Sequence, residues 1–363
     1  MNRFNRLVYF VVVLLFCSCN KPFYNYETKE VDFINHIDSQ IKGANLDIAP
    51  LGLNNIIIFD SLLIIPTNNP TWQLKVYSLN TKKRIANLCK EGRAMNEFLQ
   101  LSDITDQIYK NKEGHIILPL IDNLTSIKEV DVTESINKQQ TIVVSKNNCR
   151  DMFLGSFVLL NNNPKHRFEI TDAVRDKIRK DVCIPIEYNI ISPDSNITTL
   201  NVFPKQMKAE EDVNDIINAY WSVLFKHPSR NLVIQPLINM DYILFFDFDK
   251  GQYFAVHQIG ATSFSDKAPH FSRNSPHTSH FGDVAFFDNG FFILYYAGGK
   301  AIYDDDKKCP DLLLFDLEGN YLHGFHMENF INRIEYDEHN KMLIGADVTK
   351  EKLYSFDFKN YKI

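Results

Sequence analysis

Short apolar strands joined by tight polar turns recur along the whole chain, and this repetition limits the fold more than any other feature. The clearest copy is LLLFDLEGNYLHGF, residues 312–325. As a strand, Leu313, Phe315 and Leu317 face one way, and Leu312, Leu314 and Asp316 face the other. Glu318-Gly319-Asn320 then turns the chain and residues 321–325 run back, giving a β-hairpin with a glycine-containing turn.

Related hairpins appear in order. Residues 56–65, 74–79 and 84–88 supply four short strands, and 107–109, 115–120, 126–132 and 141–145 supply four more. Residues 157–161, 168–171, 187–191 and 197–203 repeat the scheme, as do 220–225, 232–238, 242–248 and 253–259. A fifth copy combines 284–287 and 291–296 with the hairpin above, and a sixth (332–336, 342–346, 353–358) is one strand short. Asn80, Glu134, Asp194, Asp249, Glu318 and Lys359 occupy corresponding turns roughly 55 residues apart, longer than solenoid periods and suited to a decorated propeller blade. An aromatic content of 13% also favours strands. Residues 31–363 are therefore expected to form one all-β domain, a six-bladed β-propeller of four-stranded antiparallel blades. An N-terminal strand closes the ring, because pairing it with the incomplete sixth blade removes two open edges. Leu46 and Ile48, alternating with Asp47, are the favoured closing strand, whereas Ile34, Ile37, Ile41 and Ala44 have helical spacing, with Gly43 where a helix could stop. A second short helix is expected up to Asn218, with Glu210, Glu211 and Asp212 at its N-terminal end.

The N-terminus reads as a targeting segment. Arg3 and Arg6 precede an apolar run over residues 7–16, too short for a transmembrane helix of about 20 residues. Leu15-Phe16-Cys17-Ser18-Cys19 resembles a bacterial lipoprotein signal, with Phe16 where Leu is usual. Ser18 is the small residue expected before the modified cysteine, so Cys19 is favoured over Cys17. This gives a signal peptide over 1–18, a lipidated tether over 19–30, and attachment to the cell envelope at the outer membrane, on its periplasmic or surface face. Several acyl chains on one residue hold durably, at about 0.8 kcal/mol per buried methylene. Loss of Arg3 and Arg6 takes the formal charge from −6 to −8, and no basic cluster marks a nucleic-acid surface. Cys89, Cys149, Cys183 and Cys309 lack the Cys-x-x-Cys rhythm of a metal knuckle; in a chain with room for a large core, disulfides are optional and the residues read as small buried hydrophobes.

LCKEGRAMNEFLQLSD, residues 88–103, carries a family resemblance. It is similar to the Gly-x-Gly-Pro-Asn-Glu-Phe stretch after the first blade of TolB-like six-bladed propeller lipoproteins of Bacteroides-type bacteria. Gly92, Asn96, Glu97 and Phe98 match, while Ala94 and Met95 replace Gly and Pro. Residues 220–247 look like that family's fourth blade. The resemblance implies a fold and an envelope address, and supplies little chemistry.

Candidate ligand-binding residues sit on two loops. Arg93, Asn96 and Glu97 belong to the corner after the first blade, which otherwise reads as an interblade brace with Gly92 at a positive φ and Phe98 as its anchor. His270, His277 and His280 lie in a long loop over 265–283, too irregular for the spacing to define a metal site. Asp304-Asp305-Asp306 lacks the glycine and distal glutamate of a calcium loop, and no nucleophile elbow or phosphate loop is present. No cofactor or metal is expected. The expected function is a lipid-anchored binding or protein-interaction module whose rim meets a glycan, peptide or envelope protein. The alternative is an envelope hydrolase or lyase, which requires inward-facing His, Asp, Asn or Glu from several blades to converge on a metal in the central channel.

Overall fold

The computed structural model describes residues 24–69, 71–101, 107–148, 157–172, 186–202, 222–260, 278–300 and 308–361. Six antiparallel sheets follow one another along the chain. Blade one comprises Ile57–Phe59, Leu62–Pro66, Trp72–Ser78 and Arg84–Lys90. Blade two is built from Tyr109–Lys110, Ile116–Asp122, Ser126–Asp131 and Val143–Asn148, and blade three from Phe157–Leu159, Arg167–Asp172, Ile186–Ile191 and Ile197–Leu200. Blade four holds Phe225–Lys226, Leu232–Pro236, Tyr242–Asp247 and Gln252–Gln258; blade five holds Thr278–Phe287, Gly290–Lys300, Asp311–Asp316 and Tyr321–Met327. Arg333–Asp337, Met342–Asp347 and Lys352–Asp357 belong to blade six. The first strands of blades five and six, and of six and one, lie side by side, so first strands line the axis and fourth strands form the rim.

Five of the six repeated turn positions fall between the third and fourth strands, and Lys359 follows the third strand of blade six, whose fourth strand comes from the N-terminal segment; in five blades a short polar residue at the end of the third strand caps the turn. Ser78 Oγ accepts from the Thr81 amide at 3.3 Å, and the carboxylates of Asp131, Asp247 and Asp357 accept from Glu134, Lys250 and Lys359 at 2.8 to 2.9 Å. Asp316 accepts from both Glu318 and Asn320. Such side chains satisfy turn amides locally, which is why Asp and Ser recur there. In blade two the same connection is a helix, α1 (Val132–Lys138), with Asp131 as N-cap and Gln139 ending it in the left-handed region at φ 52°.

The N-terminal segment forms three strands on three successive blades. β1 (Glu27–Val31) pairs parallel with the rim strand of blade four, and β2 (Ile37–Ile41) pairs parallel with the rim strand of blade five. β3 (Ala44–Asn45) pairs antiparallel with Lys352–Asp357 and completes blade six, so an N-terminal strand does close the ring. Closure begins two residues before the expected 46–48, and the Leu46 amide extends it by donating to Leu353 O at 2.9 Å. Residues 34–44 are not a helix: after one 3-10 turn at Ile34–His36 they enter β2. Ile37, Ser39 and Ile41 also alternate with Asp38 and Gln40, and an available sheet edge turns that alternation into a strand. Pairing likewise starts at Glu27, inside the span expected to be a tether. The helix expected up to Asn218 lies outside the described residues.

These strands deliver side chains into the seams between blades. Each blade is apolar on both faces, and the seam fillings are separate clusters. The strand Asp311–Asp316 shows this directly: Leu313 and Phe315 join Ile243, Phe245 and Val256 of blade four, while Leu312 and Leu314 join Ile334, Leu343 and Phe356 of blade six. Gly319, at φ 79°, brings its turn so close to blade four that a Cβ would stand 2.8 Å from Val256. Tyr24 is fully buried in the seam of blades three and four, Phe33 in that of four and five, Ile41 in that of five and six, and Leu46 and Ile48 in that of six and one. Phe33 meets Tyr295 edge-on at 5.2 Å and Phe315 at 5.9 Å between ring centroids. Phe33→Ala is expected to cost about 3–5 kcal/mol, as for other buried aromatic truncations. Urea denaturation measures the loss, and native-state hydrogen exchange should rise first in β1 and β2.

Candidate functional site

Strand alternation puts second-to-third and fourth-to-first connections on one face of the ring. The long connections 173–185, 201–224, 259–277 and 301–310 are all of this kind, and so is the corner at 91–108. The opposite face carries most of the short turns.

The corner residues are committed to internal bonds. Gly92 has φ 157°, and a Cβ there would lie 1.9 Å from Glu97 Oε2, which accepts the Ala94 amide at 3.0 Å. Asn96 Oδ1 accepts the Val143 amide of blade two at 3.0 Å. Phe98 is buried between blades one and two, with Gln73 donating to its carbonyl at 3.0 Å. Beneath it Lys128 and Asp122 form a buried pair at 2.8 Å. Lys128 also donates to the Glu97 carbonyl and stands 4.6 Å from the Phe98 ring, and Asp122 accepts the Leu99 amide at 2.8 Å. Arg93 is exposed. Sequence reasoning passed over Lys128 and Asp122, although a lysine within the otherwise buried strand Ser126–Asp131 signals a paired charge.

His280, at the start of the inner strand of blade five, is held by Asp241 at 2.6 Å from Nδ1, and Tyr295 donates to the same carboxylate oxygen at 2.9 Å. Neighbouring pairs are His326 with Asp311 at 2.6 Å and His257 with Glu30 of β1 at 2.9 Å; Tyr242 stacks on His257 at 4.1 Å. His270 and His277 lie outside the described residues, as do Cys19 and Asp304-Asp305-Asp306. The corner candidates sit at the seam of blades one and two and His280 at that of four and five, on opposite sides of a six-bladed ring. They do not form one site.

A cavity of about 70 Å³ lies among the axial strands. Ile57 and Phe59 of blade one, Leu224 and Phe225 of blade four, Val284 and Phe286 of blade five and Tyr336 of blade six form apolar walls. Gln107, Lys226 and Glu335 are the polar lining groups. Gln107 is already engaged, donating to Phe157 O at 2.9 Å and accepting from Leu159 N. Lys226 Nζ donates to His227 O at 3.2 Å. Burial pulls its amine down to about 8, and the Asp249 carboxylate offsets this only in part. Among the described residues no group of three or more His, Cys, Asp or Glu is arranged to hold a metal ion, so the converging donors required by a metal-dependent hydrolase are not found there. Cys89 is buried and Cys309 half-buried, both as free thiols.

Six radial sheets around a common axis define a six-bladed β-propeller. The chain belongs to the TolB-like 6-blade propeller-like family, which matches residues 54–339. Among solved structures it is similar to a putative exported protein from Bacteroides fragilis, at 10% identity and a TM-score of 0.52, covering 91% of this chain and 97% of the other. It is also similar to a member of the duf4221 family from Bacteroides vulgatus, at 9% identity and a TM-score of 0.49 over 89% and 97% of the two chains. At these identities the likeness concerns the fold alone. No curated sequence matches the chain.

Lys226 was invisible as a site residue in the sequence because only ring closure places that strand end on the axis. Its amine titrates near 8 in the fold and near 10.5 in the open chain. The folded state thus disfavours the ammonium fully below pH 8 and not at all above about 10.5. Lys226→Met is expected to raise the melting temperature at pH 7, with the gain shrinking as pH rises from 8 to about 10.5. Thermal melts of both proteins across that range measure the effect.

Proposed function

We propose that this protein is a lipid-anchored binding module of the cell envelope whose axial cavity receives the carboxylate end of a peptide. The observation that carries this reading is Lys226, the one basic side chain of a described lining that is otherwise Ile, Leu, Phe, Val, Pro and Tyr apart from Gln107 and Glu335, on the ring axis. An ammonium in such surroundings gains most from an incoming anion, because water competes poorly for it there. The cavity has room for a terminal residue and not for a large ligand. The TolB-like ring supplies a preformed scaffold, so little conformational entropy opposes binding. The envelope address is supported by the targeting segment ending at Cys19, and a putative exported protein shares the fold.

The anchor is tested by Cys19→Ser, expected to move the protein from the membrane fraction to the soluble fraction; a variant that still carries lipid would refute the assignment. The site is tested with N-acetylated tripeptides, each as the free acid and as the amide, in thermal-shift assays. Free acids should stabilise the protein, since binding to the native state raises apparent stability. Amides should not, and Lys226→Met should abolish the shift. Equal shifts for acid and amide, or for the two proteins, would overturn the carboxylate reading.

A further inference from the structure

We infer that the rim of blade three lies against the bilayer, an orientation that rests on the proposed lipid anchor at Cys19. The first observation is covalent reach. Tyr24 is fully buried with Phe168, Tyr188 and Val202 of the third-blade side, and the Asn25 amide donates to Val202 O at 3.0 Å while its side chain donates to Asn201 O at 2.9 Å. The chain is therefore fixed to the end of blade three from Tyr24 onward. Cys19 precedes Tyr24 by five residues, and even fully extended residues span only about 3.4 Å each. The lipid attachment point is then confined to within roughly 17 Å of Tyr24, at the seam of blades three and four, too short for the propeller to turn the far side of the ring to the membrane.

The second observation is the character of the rim. β1 and β2 cover the outer edges of blades four and five, and they carry Glu27, Lys29, Glu30 and Asp38. The rim strand of blade one carries Arg84 and Lys90, and that of blade two Lys146. Asn196 to Val202, NITTLNV, has no charged residue; among the described residues no strand pairs with its outer edge, and Ile197 is 64% exposed. In a lipidated protein of formal charge −8 after loss of Arg3 and Arg6, which an anionic leaflet repels, this is the rim that meets headgroups and glycerol at least cost.

The test uses the full lipidated chain on vesicles of phosphatidylethanolamine and phosphatidylglycerol, with the soluble Cys19→Ser protein as reference. Backbone hydrogen exchange over 196–201 should slow by about threefold or more on vesicles, while that over Val143–Asn148 of blade two should not change. A variant with roughly 20 Gly/Ser residues inserted between Lys21 and Pro22, spanning on the order of 25 Å, should bind vesicles and lose the protection. Vesicle-bound protein with unaltered exchange at 196–201, or equal protection in the linker variant, would overturn the orientation and leave the anchor intact. Failure of the lipidated chain to bind vesicles, or equal binding by Cys19→Ser, would overturn both.

Discussion

Every blade of this ring is apolar on both faces, so each is stable only when a neighbour fills the seam on either side. Sheet-on-sheet burial is the dominant favourable term for such an architecture, and adjacent twisted blades diverge toward the rim, where space must be filled. The N-terminal segment fills four of these seams in sequence with Tyr24, Phe33, Ile41 and the pair Leu46 and Ile48. Phe98 serves the seam of blades one and two. At blades two and three the described filling is smaller, and the buried amide of Gln107 ties Phe157 and Leu159 across it. Ring closure and the filling of four seams thus share one continuous stretch of chain, residues 24–48.

The same constraint separates parts of the chain that brace from parts that are free to recognise. The corner around Gly92 and Glu97 uses a buried Lys128–Asp122 pair to hold Phe98 in its seam. Removing one partner of such a pair leaves an uncompensated charge, so the arrangement is rigid rather than adaptable. Asp283 has a related bracing position: it accepts the Ile334 amide at 2.8 Å between the axial strands of blades five and six, and burial pushes its carboxyl up to about 6 despite the nearby Arg333 charge. Lys226 differs in facing open axial space.

Most of the architecture was legible in the sequence. Strand alternation marked most blade strands to within a few residues, whereas the inner strand of blade five begins at Thr278, inside the span expected to be a loop; the turn positions from Asn80 to Lys359 fall at equivalent points because the third strand ends in Ser or Asp in five blades. The hairpin at 312–325 divides its side chains between two faces as its alternation requires. Residues 34–44 misled because Ile34, Ile37 and Ile41 satisfy helical spacing and Ile37, Ser39 and Ile41 satisfy strand alternation. Local pattern cannot choose between them when the deciding partner, Tyr321–Met327, is distant in sequence.

The sequence by itself determined the number and order of blades, closure by an N-terminal strand and the residues that turn the chain, because these depend on periodicity and local hydrogen bonding. The tertiary structure decided which of those residues share a site. It set the Gly92 corner and His280 on opposite sides of the ring, turned the end of the supposed tether into a strand on blade four, and brought Lys226 to the axis beside residues from four other blades. Such neighbours meet only when the ring closes, and contacts made by closure over hundreds of residues leave no periodic trace in the chain.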